Sequence, residues 1–375
     1  MPRPIFGYVA GAAETNASRY DNRAAFREFG FRPRVLRDVS GRSQATTLFG
    51  RTYAAPFGIA PMGLSALVAY RGDLVLARAA AAANVPMILS GSSLIRLEEV
   101  AEVTPGGWFQ AYLPGEPERI VALVERVARA GFRTLMLTVD TIVSANRENN
   151  VRSGFSAPLR PTPRLAWDGL VRPRWLLATF ARTLLRHGMP HFENAYAERG
   201  VPIVSRNVVR DFGKREHLNW EHFALIRRHW PGPLLLKGIM NGKDAAIGRD
   251  HGADGIIVSN HGGRQLDGTV SPLRVLPEVV AAAGDLPVML DGGIRRGSDV
   301  LKALALGARF VFVGRPFLYA AALAGEAGVA HAIAILASEI SRNMALLGIN
   351  RLDEMERDLL APIASPAPEW ERQEA

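Results

Sequence analysis

The 375-residue chain contains no cysteine, which excludes disulfide bonds, thiolate metal ligands and a cysteine nucleophile. It lacks any uninterrupted run of about 18 apolar residues, the length that a membrane-spanning helix needs. Its first residues, MPRPIFGYVAGAAE, contain no apolar core of the kind found in a secretory signal. No H-x-x-H or H-E-x-x-H spacing occurs, so we predict no metal site. Together these absences favour a metal-free protein of the cytoplasm.

Acidic residues are scarce in one segment of the chain. Between Arg152 and Arg215, twelve Arg or Lys residues stand against four Asp or Glu, so this span holds +8 of the formal net charge of +9. A sequence pI of about 10.3 would suggest a nucleic-acid partner if the charge were spread over the chain. Because the excess is confined to one segment, we predict no nucleic-acid binding.

Eight short apolar runs alternate with amphipathic helical patterns from residue 57 onward. They do not alternate in polarity, which is typical of parallel strands buried on both faces. Eight strand–helix units predict a TIM barrel of the α/β class. A doubly wound open sheet is the alternative, but no G-x-G-x-x-G follows the first run. The runs are FGIAP (57–61), PMILS (86–90), WFQAY (108–112), TLMLTVD (134–140), PLLLK (233–237), GIIVS (255–259), PVMLD (287–291) and FVFVG (310–314).

The spacing of these runs predicts one domain over residues 1–375 with three additions to the barrel. Residues 1–56 precede the first strand and are expected to cap the barrel, which itself covers 57–362. About ninety residues separate the fourth and fifth runs, so residues 141–218 are an insertion after strand four. The tail 363–375 is expected to be flexible.

Polar residues follow the end of each predicted strand. In a barrel these ends meet at one mouth, where active sites of this fold lie. The residues concerned are Pro61-Met62-Gly63, Ser90, Tyr112, Asp140, Lys237, Ser259 to Arg264, Asp291-Gly292-Gly293 and Gly314-Arg315.

Two of these strand-end loops predict a phosphate site. DGGIRRGS (291–298) places glycines and arginines before a helix, and VGRP (313–316) does so after the last strand. Glycines let backbone N–H groups approach an anion, and a helix N-terminus favours negative charge. The bound ligand is therefore expected to carry a phosphate.

The stretch SNHGGRQLD (259–267) contains the residues best suited to catalysis. His261 can act as a base near neutral pH, and Arg264 can hold a carboxylate through two charge-assisted hydrogen bonds. Asp140 is suited to orient the imidazole, and Lys237 to keep positive charge beside a cofactor that becomes anionic. The seven other histidines lie in predicted helices or in the insertion, and we interpret them as structural or solvated.

At these residues the chain resembles the FMN-dependent α-hydroxy-acid dehydrogenase/oxidase family, and within it the mandelate and lactate dehydrogenase branch. The resemblance runs from Tyr8 to about residue 350 and follows the family's motif order. It implies FMN as cofactor, a 2-hydroxy acid as substrate and a homotetramer. The motifs that carry it are WFQAY, LTVDT (137–141), LLLKG, SNHGGRQLD, LDGGIRRGSD (290–299), KALALGA (302–308) and VGRP.

The resemblance also implies roles for individual residues. His261 is similar to the catalytic base and Asp140 to its partner, while Lys237 resembles the lysine that stabilises the reduced flavin. The substrate would contact Tyr8, Tyr112, Arg147 and Arg264. The flavin ring and ribityl chain would contact Pro61, Met62, Gly63, Ser90, Gln110, Thr138 and Ser259, and the phosphate end Asp291, Gly292, Gly293, Arg295, Gly314 and Arg315.

Departures from the family pattern bear on the substrate. Ser92 and Ser144 stand where glycolate oxidase has a tryptophan and a leucine, so a roomier pocket is expected. Met62 replaces the usual threonine of the first-strand motif. Gly63 replaces an alanine common in oxidases, which favours a dehydrogenase acting on mandelate-like or lactate-like acids.

The insertion contains RPRWLLATFARTLLRHGMP (172–190), which predicts a basic amphipathic helix. On a helical projection Leu176, Leu177, Phe180 and Leu184 share one face, with Arg182 and Arg186 opposite. Such a helix suits an anionic membrane surface, and the stretch resembles the membrane-associating insertion of the mandelate dehydrogenase branch. We therefore expect a peripheral protein on the inner face of the cell membrane that passes electrons to a quinone.

Three alternatives remain open from the sequence. An oxidase of the same family would use O2 and release peroxide. An aldolase or isomerase on the same fold would form a Schiff base at Lys237, although His261 and Arg264 have no clear role in that chemistry. A non-catalytic flavin or phosphate-ligand binder would turn over no 2-hydroxy acid.

Overall fold

A computed structural model describes residues 1–206 and 215–363 of the chain. Eight parallel strands form one sheet in the spatial order 1-8-7-6-5-4-3-2. A parallel bridge between Ile59 and Met87 joins the first strand to the second and closes the barrel. This confirms the TIM barrel and all eight predicted strands. The strands are β1 (Phe57–Ile59), β2 (Ile88–Ser90), β3 (Trp108–Ala111), β4 (Thr134–Thr138), β5 (Leu234–Ile239), β6 (Gly255–Val258), β7 (Val288–Asp291) and β8 (Phe310–Val313).

Helices surround this sheet, and further helices form the segment before the barrel and the insertion. Those of the barrel proper are α3 (Ser65–Val68), α4 (Gly72–Ala82), α5 (Leu97–Val103), α6 (Pro117–Arg129), α11 (Trp220–His229), α12 (Gly242–Asp250), α13 (Pro272–Ala283), α14 (Gly297–Ala305) and α15 (Arg315–Leu347). Those outside it are α1 (Arg3–Ala10) and α2 (Ala17–Ala24) before the barrel, and α7 (Glu148–Ser153), α8 (Pro163–Leu170), α9 (Pro173–Trp175) and α10 (Arg182–His187) in the insertion.

The barrel interior is a packed core that is separate from the core between strands and helices. Every strand except β1 contributes a buried residue to it, and Ala60 supplies the contribution just beyond β1. Aromatic rings fill the lower layer, where Trp108 lies 5.5 Å from Phe312 between ring centroids. The barrel is therefore solid below its mouth, and a ligand has room only at the carboxyl ends of the strands.

Residues 1–56 cover both ends of the barrel rather than one. A hairpin of strands Thr46–Leu48 and Arg51–Tyr53 closes the amino-terminal end, where the Trp108 indole N–H donates to the Tyr53 hydroxyl at 3.0 Å. Helices α1 and α2 lie instead over the carboxyl-terminal mouth. The N-terminal cap thus has a structural half and a half that reaches the site.

The insertion forms short helices beside α3. The segment predicted as one amphipathic helix consists of three consecutive parts: α9, then a π-helical turn over Leu176–Ala181, and then α10. The π turn changes the helical rotation, so the predicted face was wrong in part. Leu177 is 67% exposed, whereas Thr179 and Thr183 are each only 8% exposed and face the barrel. The Arg182 guanidinium, expected on the opposite face, lies 4.0 Å from the Tyr70 ring centroid.

Helix α15 has the length and apolar composition of a membrane span. Its charged residues interrupt the apolar sequence, so the absence of a long uninterrupted apolar run did not predict this helix. Its backbone leaves the helical conformation at Ala324 and Gly325. Phe317, Ile340 and other apolar residues of α15 are buried against the barrel. This packing is that of the last barrel helix.

Candidate functional site

A cavity of about 590 Å³ opens at the carboxyl ends of the strands. Its volume falls in the range of about 300–1,000 Å³ that is usual for small-molecule and cofactor sites. Strand-end loops form its floor, and the N-terminal segment and the first part of the insertion form its walls. The predicted site residues that line it are Tyr8, Pro61, Met62, Gly63, Gln110, Tyr112, Thr138, Arg147, Lys237, His261, Arg264, Asp291, Gly292, Gly293, Arg295, Gly314 and Arg315.

Three predicted site residues lie just behind this lining. The Ser90 hydroxyl donates to the Gln110 side-chain oxygen at 3.0 Å. The Ser259 hydroxyl accepts from the Lys237 ammonium at 2.9 Å, and Asp140 contacts His261. Because their polar atoms are engaged by residues that do line the cavity, these three side chains orient their neighbours.

His261 and Asp140 form a base–carboxylate pair at the cavity wall. The His261 Nδ1 lies 3.1 Å from one Asp140 carboxylate oxygen and 3.3 Å from the other. Burial lowers the pKa of His261 below its ordinary value, an effect that Asp140 opposes. Although burial acts to raise the pKa of Asp140, His261 and Lys237 hold it below its ordinary value. At neutral pH the pair is therefore a neutral imidazole held by a carboxylate, which leaves Nε2 able to accept a proton.

Lys237 is a buried cation with fixed partners. Its ammonium lies 3.2 Å from the Asp291 carboxylate, and the Ser259 hydroxyl donates to the same carboxylate. Burial acts to lower the pKa of Lys237, but Asp291 and then Asp140 outweigh burial and the pKa is raised. The amine is thus protonated at neutral pH and is a poor nucleophile, which speaks against Schiff-base chemistry.

Arg264 has the geometry of an anion receptor. Its Nη1 donates to the backbone oxygens of Tyr8 and Gly11 at 2.6 and 2.8 Å. Its Nη2 is buried, and no residue of the described chain accepts a hydrogen bond from it. Burial, and next the charge of Arg147, lower the pKa of Arg264 to about 10. Two neighbouring guanidinium groups with a spare buried donor favour a carboxylate between them.

Aromatic and small residues form the side of the cavity next to this anion site. The Tyr8 hydroxyl donates to the Gly63 oxygen at 3.3 Å, and the Tyr8 ring stacks on Phe155 at 4.6 Å. A Cβ at Gly63 would lie 2.8 Å from the Cβ of Ser92 and 3.3 Å from the Tyr8 hydroxyl. A side chain at position 63 would therefore take space from any ligand held by Arg264.

The part of the cavity lined by the loops after β7 and β8 has an excess of positive charge. Burial, and next the charge of Arg264, lower the pKa of Arg315 to about 9. Burial, with Arg23 and Arg19 from α2, also lowers the pKa of Arg295. Guanidinium groups that repel each other in this way are stabilised by an anion, as a phosphate site after strands seven and eight requires.

Helix α2 lies directly on the loops that follow β6 and β7. A Cβ at Gly293, whose φ is +81°, would lie 1.9 Å from the Asn22 oxygen. A Cβ at Gly263, whose φ is +77°, would lie 2.6 Å from the Arg19 nitrogen. Only glycine fits at either position, and the structural reason is the close approach of α2 as much as the bend of the loop.

The middle section of the cavity contains two buried polar atoms that are suited to bind a ligand. The Gln110 amide nitrogen and the Thr138 hydroxyl are buried and find no hydrogen-bond partner within residues 1–206 and 215–363. Unpaired buried polar groups are costly, so their presence indicates a ligand with matching acceptors and donors. A heteroaromatic ring with a polar chain and a terminal phosphate satisfies both these atoms and the cationic end. The residues present therefore fit FMN.

The site lies at the mouth of a (β/α)8 barrel and combines a base–carboxylate pair, an anion receptor and a group of buried arginines. This combination is typical of an oxidoreductase that binds a phosphorylated cofactor and a small acid. Comparison with known proteins gives the family. The profile described as FMN-dependent dehydrogenase matches residues 1–362, and the chain belongs to this family.

Individual relatives agree with that assignment. The chain is 37% identical to (S)-mandelate dehydrogenase of Pseudomonas putida over 361 residues, covering 96% of this chain and 90% of that protein. It is 39% identical over 370 residues to L-lactate dehydrogenase of Caulobacter sp. (strain K31), covering 96% and 95%. The crystal structure of the monotopic membrane protein (S)-mandelate dehydrogenase superposes with a TM-score of 0.87 at 36% identity, covering 97% and 96%. The chain is accordingly an FMN-dependent oxidoreductase of 2-hydroxy acids.

Sequence reasoning missed some residues that build this site. Asn150 and Phe155 of the insertion line the cavity, and Asn22 of α2 exchanges two hydrogen bonds with Asn260, at 2.7 and 2.8 Å. Gln265 and Asp267 of the SNHGGRQLD motif hold segments of the chain that line the cavity. Their inclusion in that motif was the available signal.

Proposed function

We propose that the chain oxidises an (S)-2-hydroxy acid, mandelate-like or lactate-like, to the 2-oxo acid at a membrane surface, with a quinone as the final electron acceptor. The observation that carries this proposal is the neutral His261, held by Asp140, on the same cavity wall as the spare buried donor of Arg264. A base and a carboxylate receptor on one wall suit a small acid whose reacting carbon is next to its carboxylate.

Each residue then has a defined task. Arg264 and Arg147 hold the substrate carboxylate, and Tyr8 and Tyr112 contact the substrate from the side. His261 accepts a proton from the substrate while Asp140 stabilises the imidazolium that forms. FMN, when bound, would take up the two electrons and the second proton that the substrate loses. Lys237 keeps a fixed positive charge on the cavity wall, which favours the negative charge that develops there.

The cofactor would be held by residues from every strand end. Gln110 and Thr138 supply the unpaired polar atoms in the middle of the cavity. Pro61, Met62 and Gly63 line the cavity beside them. The phosphate would lie at Gly293, Arg295, Gly314 and Arg315, with Asp291 and Gly292 shaping the loop and Ser90 and Ser259 orienting the residues in front of them.

The proposed membrane contact rests on the exposed face of the insertion. Trp167, Leu177 and Leu185 are 64%, 67% and 88% exposed, in a segment whose charge balance is strongly positive. Apolar side chains ringed by arginines suit the boundary of an anionic bilayer. A structural relative is described as a monotopic membrane protein, which supports attachment to a membrane, and we propose the inner face of the cell membrane as its side.

We also propose that the chain assembles as a homotetramer. The supporting observation is the exposure of Leu323, Ile335 and Leu346 on α15, which is large for apolar residues of a barrel helix. Light scattering of the purified protein, which gives the mass of the assembly directly, checks this.

Anaerobic mixing of the purified holoenzyme with lactate, mandelate and longer 2-hydroxy acids tests the activity. The expected result is loss of the oxidised-flavin absorbance with at least one (S)-acid and none with its (R)-enantiomer. A preparation that retains FMN but is bleached by no 2-hydroxy acid would overturn the proposal.

An oxidase remains the second candidate because an L-lactate oxidase and mandelate oxidases are also among the relatives. Peroxide measurement in air separates the two. Peroxide formed in equal amount to the 2-oxo acid, and unaffected by an added quinone, would favour the oxidase.

A further inference from the structure

The last residues of SNHGGRQLD contact two other segments of the chain. The Gln265 side-chain oxygen accepts from Arg147 Nη2 at 2.6 Å. Its amide nitrogen donates to the Asp140 backbone oxygen at 2.9 Å. Arg147 Nε donates at the same time to the Arg264 backbone oxygen at 3.0 Å. The side chain of Gln265 therefore ties the loop after β4 to the loop after β6 at the point where Arg147 enters the cavity.

Asp267 takes the place of a helix cap for α2. The N-cap residue Asn16 is left-handed and its side chain does not cap the helix. Asp267 accepts instead from the backbone nitrogens of Thr15 and Ala17, at 3.0 and 3.2 Å, and of Ser18, at 2.9 Å. The Thr15 hydroxyl adds a fourth bond at 2.7 Å. A carboxylate that accepts several N–H groups at a helix start is favourably placed for both hydrogen bonding and the helix dipole.

The same segment carries Tyr8 to the cavity. Between Tyr8 and Thr15 the chain is held to the loop after β6 by the Arg264 bonds to Tyr8 and Gly11 and by the Ala13 nitrogen, which donates to Gly263 at 2.9 Å. Asp267 fixes the far end of this short connection. Without it, α2 loses its cap and the connection to Tyr8 loses four of the hydrogen bonds that anchor its far end.

We propose that Gln265 and Asp267 are positioning residues for substrate binding, Gln265 holding Arg147 and Asp267 holding the segment that bears Tyr8. The inference rests on the proposed function, because it takes Arg147 and Tyr8 as substrate contacts. The loop after β6 then does more than supply His261 and Arg264. It also sets the position of the two substrate contacts that come from elsewhere in the chain.

Double-mutant cycles test this pairing. Gln265→Met should raise KM about tenfold and leave kcat within about twofold, because a charged hydrogen bond that orients a ground-state contact is lost. Asp267→Asn should raise KM by about fivefold for the same reason. In an Arg147→Met background Gln265→Met should have almost no further effect, and Tyr8→Phe should abolish most of the Asp267→Asn effect.

The crossed pairs serve as internal controls. Gln265→Met with Tyr8→Phe, and Asp267→Asn with Arg147→Met, should give effects on KM that multiply, as independent sites do. Gln44→Met, which removes a hydrogen bond to Ala337 at 3.1 Å, controls for loss of a glutamine. Asp21→Asn, which weakens the contact of α2 with the Ser271 nitrogen at 3.0 Å, controls for loosening of the same helix.

A second readout does not depend on turnover. Oxalate binding, followed by the absorbance change of the bound cofactor, should weaken in Gln265→Met and in Asp267→Asn and keep the same pairwise pattern. Effects that multiply in all four pairs, or equal losses of kcat and of cofactor retention, would overturn the inference. If the wild-type enzyme turns over no 2-hydroxy acid while oxalate affinity still follows the pairing, the proposed function fails and the positioning role stands.

Discussion

The N-terminal segment that bears α1 and α2, and the outer part of the insertion, α8 to α10, are attached to the barrel in different ways. The first is held by polar contacts, among them the buried Asn22–Asn260 amide pair and the four bonds to Asp267. Among the described residues the second has few polar contacts to the barrel, such as the Trp175 indole N–H to the Leu67 oxygen at 2.6 Å, and leaves Leu185 in solvent. Polar networks fix geometry, whereas exposed apolar faces suit a partner. The contrast supports the proposal that the N-terminal segment serves catalysis and that α8 to α10 serve attachment to a membrane.

The largest effect should come from the cavity that the N-terminal segment and the first part of the insertion border. His261→Gln should lower kcat/KM by about 10³-fold, because the general base is lost while binding of the carboxylate is kept. Stopped-flow measurement of flavin bleaching checks this. His251→Gln is the control, because His251 is exposed on the outside of the barrel, where it contacts Ile247 and Trp220.

The same residue predicts the pH dependence. Neutral His261 is the form that accepts a proton, so activity is present above its pKa and is lost as pH falls through it. Because burial lowers this pKa, the wild-type kcat/KM should stay level to below about pH 6.5, the ordinary histidine value. An acid limb centred above that pH would contradict the assignment.

The outer part of the insertion, α8 to α10, should affect attachment to the membrane without affecting the chemistry. Trp167→Ser combined with Leu185→Ser should weaken binding to vesicles containing phosphatidylglycerol by about 100-fold, since each residue contributes burial of one large apolar side chain. Sedimentation with vesicles measures it, and kcat with a soluble dye should be unchanged. Val35→Ser, outside the insertion and at a residue that is 79% exposed, should leave vesicle binding as it was. A parallel loss of kcat would erase the distinction between the two segments.

Matched buried polar residues compare the two segments directly. Asn22→Leu leaves Asn260 without its partner above the phosphate-site loops, and the FMN dissociation constant should rise about tenfold. Thr183→Val removes a hydroxyl that donates to the Thr179 oxygen at 2.7 Å in the insertion, and FMN affinity should not change. Fluorescence titration of apoprotein with FMN measures both. Equal weakening in the two variants would show that the N-terminal segment has no special link to the cofactor.

A smaller effect is expected at the substrate side of the cavity. Gly63→Ala places a Cβ 2.8 Å from that of Ser92, so KM for mandelate should rise about fivefold and KM for lactate should change little. Adding Ser92→Gly removes the clash and should restore most of the affinity for mandelate. If both acids are affected equally, the space between positions 63 and 92 is not where the larger substrate lies.

The smallest effect concerns a buried acid in the first turn of α4. Burial raises the pKa of Asp73 to about 7, although the Ser93 and Ser65 hydroxyls oppose the shift. The folded state therefore holds a proton that the unfolded state has released, and stability falls as pH rises from about 4 to about 7. Asp73→Asn removes this titration, so its melting temperature relative to wild type should be about 3 °C higher at pH 8 than at pH 5. Asp285→Asn, at an exposed position, should give no such difference.

The barrel could be predicted from the sequence because its strands are buried on both faces and their polar ends recur after every run. The direction of the insertion helix could not, since a projection at a constant angle fails across the π turn at Leu176–Ala181. The contacts of Asn22 and Asp267 were also beyond a sequence argument, because their partners lie about 240 to 250 residues away along the chain. The boundaries of the single domain stay a prediction. The tail that was predicted to be flexible, 363–375, lies outside the described residues from position 364 onward.

The seating of α2 on Gly263 and Gly293 has a consequence for the making of the enzyme. The residues that close the mouth of the barrel are among the first to leave the ribosome, yet the surfaces they close on are among the last. Asn22 therefore lacks its contacts with Asn260 and Gly293 until β6 and β7 have been synthesised. Until then the barrel mouth is open, and the part of the chain that is made first is the part that is put in place last.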